Sequence, residues 1–379
     1  VGPRAAGGSC VNGSYGAHDM AGNVREWGAN PVGSERIAIG GAWTDPSYIY
    51  LFPERLSPFD RSPENGFRCV RYLEGGGPQP EATAAIEASG RRDYSLEQPV
   101  GDDIYAAYSG FFDTAPVALE PLVESTDDSA ENWTKQKVSY AAGYGGERMI
   151  AWLYLPRNAM PPYQVVIQMA GAGTFYRRSS ETEASIFGWS SAENILRSGR
   201  AVLLPLWKGS YERSDDFDPL SSPGTVLREH VVQWVTELRR SVDYLQTRDD
   251  IDPGRIAYQG ISYGAMWTPV FMAQEPRLKT GLVIVGGFLS FELADGSMPP
   301  EIDPLNHAPR VTAPVLMLNG RHDPIFIYET SQLPLFQNLG TADADKRHVT
   351  YPSGHSTSSW QDELIRESLD WLDRYFGEP

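Results

Sequence analysis

From residue 138 onward the chain alternates two kinds of apolar pattern. Short apolar runs occupy 164–169, 201–206, 255–259, 281–285 and 314–318, and a short mixed run, His348-Val349-Thr350, follows them. Runs that are apolar throughout, rather than at every second position, predict strands buried on both faces. Between them lie amphipathic stretches such as 225–238, whose apolar residues recur at three- and four-residue spacing and predict helices. Segments 138–140 and 149–155 flank Gly145 and Gly146 and predict an early hairpin. Strands alternating with helices predict an α/β architecture, a mostly parallel sheet covered on both faces whose ligand crevice lies beyond the carboxyl ends of the strands.

Chemistry-bearing residues fall at those ends. The run at 255–259 leads into Gly260-x-Ser262-x-Gly264, where two glycines allow a strand to turn sharply into a helix and project the serine hydroxyl clear of the backbone. Asp323 follows the 314–318 run, and His355 follows the run at 348–350. Asp295, after the 281–285 run, is a rival acid, with Asp323 the first choice. A neutral serine hydroxyl is a weak nucleophile, so a histidine must take its proton while an acid holds the ring in the useful tautomer. His322, beside Asp323, could line the site but reads first as a surface turn residue, His230 falls within the helical pattern 225–238, and His18, His307 and His348 lack the paired spacing that a zinc site requires.

The order Ser262, Asp323, His355 at successive strand ends resembles the α/β-hydrolase superfamily over roughly residues 100–379, in its dienelactone-hydrolase or esterase-like form. The resemblance implies a serine carboxylic-ester hydrolase that works through an acyl-enzyme without a cofactor. It also implies an oxyanion hole, with one donor the backbone N–H of Tyr263 and the other that of Ala172, Gly173 being second choice. Phe175, Tyr176, Trp207 and Tyr211 follow neighbouring strands and are expected to reach a crevice for a small or medium ester. A peptidase or amidase would share the triad, although the propeller repeats of many such peptidases are absent. A non-catalytic binding module is the alternative from another class, and it would have no need of three such residues at three strand ends.

Residues 1–72 carry a second resemblance. The stretch from Tyr15 to Trp27, Gly40-Gly41-x-Trp43 and the stretch from Asn65 to Arg71 resemble the C-terminal part of the formylglycine-generating enzyme (sulfatase-modifying factor) family, a C-type-lectin-like fold. The cysteine pair of that family's oxidase chemistry is missing from 48–60, which implies a catalytically silent remnant. Cys10 and Cys69 are the chain's two cysteines, and spacing leaves open whether they form a disulfide or stay reduced. Asp19, Asn23 and Glu26 lack the dense oxygen-ligand loop of a calcium site. The remnant's aromatic residues, among them Trp27, Trp43 and Phe67, exceed what a partial domain can bury alone, so it is expected to dock on the hydrolase.

The Gly/Pro-rich stretch 74–80 reads as a linker within 73–100, followed by a short helical candidate at 81–90 and by a hydrolase domain at 101–379. Segments 108–112, 145–151 and 207–213 resemble hydrolase modules at the C-terminal end of bacterial Ser/Thr-kinase-type multidomain proteins. This implies a longer parent chain, with a kinase or other domain upstream. A 41% hydrophobic content over 379 residues is enough for a large core, and no uninterrupted apolar stretch is long enough to cross a bilayer. A net charge of −17 disfavours nucleic acid and anionic membranes as partners, since both would repel it. Compartment stays open between bacterial cytoplasm and cell envelope.

Overall fold

The computed structural model describes residues 18, 20–43, 45, 50, 53–72, 76–78, 80–85, 92–186, 188–290 and 298–379. Asp295, Cys10 and Asp19 therefore lie outside the described residues; Cys69 is exposed.

The N-terminal segment contributes β1 (Arg25–Val32), β2 (Glu35–Ile39), β3 (Glu54–Leu56) and β4 (Asn65–Gly66), which form a small sheet in the order β3-β2-β1-β4. The larger sheet comprises β5 (Leu122–Asp127), β6 (Trp133–Ala141), β7 (Arg148–Pro156), β8 (Tyr163–Met169), β9 (Ala201–Pro205), β10 (Ile251–Ile261), β11 (Thr280–Ile284), β12 (Val315–Gly320) and β13 (Lys346–Tyr351). Its order is β13-β12-β11-β10-β8-β9-β7-β6-β5, parallel from β13 to β9 and antiparallel beyond. The helices are α1 (Asp102–Ser109), α2 (Trp189–Arg197), α3 (Gly224–Gln246), α4 (Tyr263–Met266), α5 (Thr268–Gln274), α6 (Pro304–His307), α7 (Leu333–Asn338) and α8 (Gln361–Phe376). None of the described helices is long and apolar enough to cross a membrane.

The continuously apolar strands are explained by two cores. Val165 and Ile167 of β8 face the core that contains Trp234 of α3 and Phe271 of α5. Val166, between them, faces the opposite core with Ile195 of α2 and Trp371 of α8. Side chains alternate across a strand, so a sheet covered on both faces needs apolar residues at every position. The chain runs from β8 to β9 on one side and then returns to β10 on the other. That reversal opens the crevice at the carboxyl ends of β8 and β10.

The hairpin expected around Gly145 and Gly146 is β6–β7, with both glycines at positive φ (56° and 66°). Strand β5 was not legible: all six of its residues are exposed at the sheet edge, so no buried face imposed a pattern on them. The helical candidate at 81–90 shows only a 3₁₀ turn, Pro80–Ala82, and residues 86–90 lie outside the described set. Part of the stretch read as linker packs on the hydrolase. Tyr94 is buried, packs at a tilt against Phe288 and donates to the Leu289 carbonyl at 2.8 Å, while Arg92 pairs with Asp303 at 2.6 Å.

The N-terminal sheet lies against the hydrolase. Glu35 of β2 meets His322 Nδ1 at 3.1 Å, and the Glu54 carboxylate of β3 presses on Gly354, where an added Cβ would come within 2.6 Å of Oε2. Trp234 is fully buried beside Phe175, Phe217, Tyr263 and Trp267. Trp234→Ala should therefore cost about 3–5 kcal/mol, read as a lower urea midpoint; a midpoint equal to the parent's would contradict this packing.

Candidate active site

Ser262 stands at the end of β10 with φ 53° and ψ −109°, a conformation that non-glycine residues seldom adopt. The turn is closed by its glycines. A Cβ on Gly260 would lie 2.4 Å from the Gly264 carbonyl oxygen, and one on Gly264 would lie 2.0 Å from that of Met169. The elbow is thus wedged between the end of β8 and its own helix. Ser262 N–H donates to Ile284 O at 2.8 Å, and its carbonyl accepts from Met266 N–H at 3.0 Å.

Asp323 and His355 follow β12 and β13. The loops that carry them touch at Gly320, where a Cβ would lie 1.9 Å from the Gly354 carbonyl oxygen. Ser262 Oγ is 2.8 Å from His355 Nε2, and His355 Nδ1 is 2.8 Å from Asp323 Oδ2. Asp323 Oδ1 accepts from the N–H groups of Ile325 and Phe326 at 2.8 and 3.1 Å, which fixes the carboxylate's orientation. A carboxylate can only accept, so His355 carries its proton on Nδ1 and presents the Nε2 lone pair to the serine. The His355 pKa is raised: burial pushes it down, but the Asp323 charge and hydrogen bond outweigh burial, with the charges of Glu54 and Asp45 adding to them.

Ala172 and Tyr263 open the helical turns that follow β8 and β10, two adjacent parallel strands. First-turn N–H groups have no acceptor within their own helix. Gly173 belongs to the same turn as Ala172.

The aromatic residues expected at the crevice divide. Phe175, Trp207 and Tyr211 are buried: Phe175 packs edge-on against Phe217 and Tyr263, and Trp207 stacks on Phe271. Phe175 and Trp207 join the core that contains Trp234 of α3, and Tyr211 joins the opposite core with Ile195 of α2. Trp207 and Tyr211 also line a small cavity beside Gln168 and Ala170. Tyr176 alone is half exposed, its hydroxyl donating to Asp218 at 2.9 Å. His322 pairs with Glu35; His230 sits between Asp215 and the Val226 carbonyl; His307 is buried and His348 half-buried, and loss of solvent pushes each down to about 4.

A cluster of charges that no sequence motif marks lies beside the site. Ser262, Asp323 and His355 are 6%, 3% and 5% exposed, and part of their cover comes from the N-terminal sheet. There Arg25 of β1 donates to Asp45 at 3.2 Å and faces Glu54 Oε1 at 3.2 Å. Glu54 is raised to about 7, chiefly by burial, with Arg25 lowering it and Asp45 and Asp323 raising it. A polar cleft lined by Arg25, Asp60, Glu64, Ser353, Ser356 and Trp360 opens beside this cluster.

Residues 186–367 match the dienelactone hydrolase family, and residues 5–73 match the sulfatase-modifying factor enzyme 1-like domain. Acetyl xylan esterase 1 from Thermoanaerobacterium sp. is similar in structure, with a TM-score of 0.56 at 15% identity, covering 74% of this chain and 96% of that one. An acetyl xylan esterase from Paenibacillus sp. R4 gives 0.55 at 15% identity over 75% and 98%. A glucuronoyl esterase from Solibacter usitatus gives 0.50 at 14% identity over 72% and 92%. No curated protein matches the sequence significantly. The chain therefore joins an N-terminal segment that matches the sulfatase-modifying factor enzyme 1-like domain to a domain of α/β-hydrolase fold that matches the dienelactone hydrolase family over residues 186–367.

Proposed function

We propose that the chain is a serine carboxylic-ester hydrolase with Ser262 as nucleophile, His355 as general base and acid, and Asp323 as the residue that orients the imidazole. The observation that carries the reading is the unbroken relay from Ser262 Oγ through His355 to Asp323, both links 2.8 Å, at a strained strand-to-helix turn. The dienelactone hydrolase match and the likeness to esterase structures support it.

In this reading Ser262 Oγ attacks the ester carbonyl carbon while its proton passes to His355 Nε2. The negative oxygen of the tetrahedral intermediate is held by the Tyr263 and Ala172 N–H groups. Collapse expels the alcohol, which leaves with the proton from His355, and Ser262 keeps the acyl group. Water then attacks the acyl-enzyme, again losing a proton to His355, and the carboxylic acid departs as Ser262 regains its hydrogen. No cofactor enters these steps. Tyr176, at the surface beside the turn that begins at Ala172, is the aromatic residue best placed to meet substrate; the packed Phe175, Trp207 and Tyr211 would shape the site from behind. An upstream kinase or other domain in a longer parent chain remains part of the proposal, resting on the sequence resemblance alone.

Ser262→Ala should lose on the order of 10⁶ in turnover of p-nitrophenyl esters with its melting temperature close to the parent's. An organophosphonate should label Ser262 in the parent, and mapping of the label to another residue would end the assignment. Asp323→Asn should lower turnover by about 10⁴ through the wrong tautomer, whereas Asp295→Asn should have a minor effect; the reverse ranking would transfer the acid's role to Asp295. Since the base must be neutral and its pKa is raised, kcat/KM should climb with pH through a midpoint above the ordinary histidine value. A midpoint below that value would contradict the electrostatics of the relay.

A further inference from the structure

We propose that Glu54, carried by the N-terminal segment, is a positioning residue of the hydrolase site, its carboxylate set against the loop of His355 so that its charge strengthens the histidine's hold on the serine proton. The inference rests on the hydrolase reading above.

The geometry comes from both sides of the contact. Glu54 is 1% exposed, and its Oε2 and Cδ lie 2.6 and 2.9 Å from where a Cβ on Gly354 would stand, Gly354 being the residue that precedes His355. Glycine at 354 is what lets the carboxylate come so close. Oε2 has no hydrogen-bond partner among the described residues, and Oε1 has only the facing Arg25 guanidinium, which donates to Asp45. A buried carboxylate so sparsely paired costs stability. Its place against the relay supplies a reason for that cost.

The groups around Glu54 come from four elements: Arg25 on β1, Asp45 after β2, Asp323 after β12 and His355 after β13. Arg55 beside it on β3 pairs with Glu35, which also meets His322. When Ser262 gives up its proton, an imidazolium forms between Ser262 and Asp323, and a nearby negative charge stabilises that cation. Glu54 makes and breaks no bond. The proton still moves from Ser262 Oγ to His355 Nε2 and on to the leaving oxygen.

The pH consequences have a definite sign. Glu54 is raised from 4.5 to about 7, so it is ionised, and able to help His355, only above neutrality. In the parent, two groups should therefore titrate on the acid side of the kcat profile, His355 and Glu54. Because the folded value lies above the unfolded one, the stability Glu54 contributes is full below about 4.5 and is lost as pH rises toward 7.

The test uses the full chain and p-nitrophenyl acetate. Glu54→Gln should lower kcat above neutral pH on the order of tenfold, the size of one unit of proton affinity, with KM changed less than about twofold. Its acid limb should become shallower, with one ionisation instead of two, and move to lower pH. Its melting temperature should exceed the parent's above pH 7 and approach it toward acid pH, while Glu54→Asp should retain the second ionisation. A purely structural Glu54 would give the opposite stability result, with the profile unmoved. A Glu54→Gln profile that superimposes on the parent's overturns this inference alone, provided the parent turns over ester and its Ser262 takes an organophosphonate label. A parent that does neither overturns the hydrolase reading and this inference with it.

Discussion

The whole arrangement depends on one backbone constraint, the turn that holds Ser262 at φ 53° between β10 and α4. Such a conformation costs roughly 1–3 kcal/mol and persists only where the surroundings over-determine it. Here they do. Gly264 lies against the Met169 carbonyl at the end of β8, Gly260 against the start of α4, and Ser262 N–H is tied to Ile284 of β11. The turn is thereby locked at the point where the sheet reverses direction. The same locking sets Tyr263 and Ala172 at the heads of neighbouring helical turns and leaves the hydroxyl facing the loop of His355. Two glycines thus fix the position of the serine against groups nearly a hundred residues away.

Two buried glutamates show how differently charge is handled in this fold. Glu237, fully buried, receives Arg213 and the Tyr144 hydroxyl on one oxygen and the Lys208 N–H, at 3.0 Å, on the other. Its hydrogen-bonding capacity is used in tying α3 to its neighbours. Glu54 is as deeply buried, but among the described residues only Arg25 faces its carboxylate closely, and its carboxyl is pushed up to about 7. Burial with satisfied partners serves stability; burial without them, next to a proton-transfer pair, is better explained by chemistry. The N-terminal segment is thus more than an appendage, since it supplies part of the cover and part of the field of the site.

Much of the hydrolase was legible because its signals are local. A strand covered on both faces reads as a continuous apolar run, as at 164–169, and a strained turn requires glycine on either side of the serine. Asp323 and His355, which the fold brings together with Ser262, were legible from their places after strands. Strand β5 left no pattern because neither of its faces is buried. Phe175, Trp207 and Tyr211 were ambiguous because an aromatic residue near a crevice serves equally as wall or core, and tertiary packing decided for the core. Glu54 was illegible for a different reason: nothing within its own strand marks it, and its role arises from a contact with Gly354, three hundred residues along the chain. The docking of two modules is a property of surfaces brought together by folding.

In the proposed mechanism Ser262 carries the acyl group between two half-reactions. The decisive experiment is rapid mixing of the chain with a slowly deacylating p-nitrophenyl ester, followed by an acid quench and peptide mapping by mass spectrometry. A burst of p-nitrophenol close to one equivalent of enzyme is expected, with the acyl mass on the peptide containing Ser262. Steady turnover with no burst and no adduct in any quenched sample, or an adduct on another residue, would contradict the mechanism.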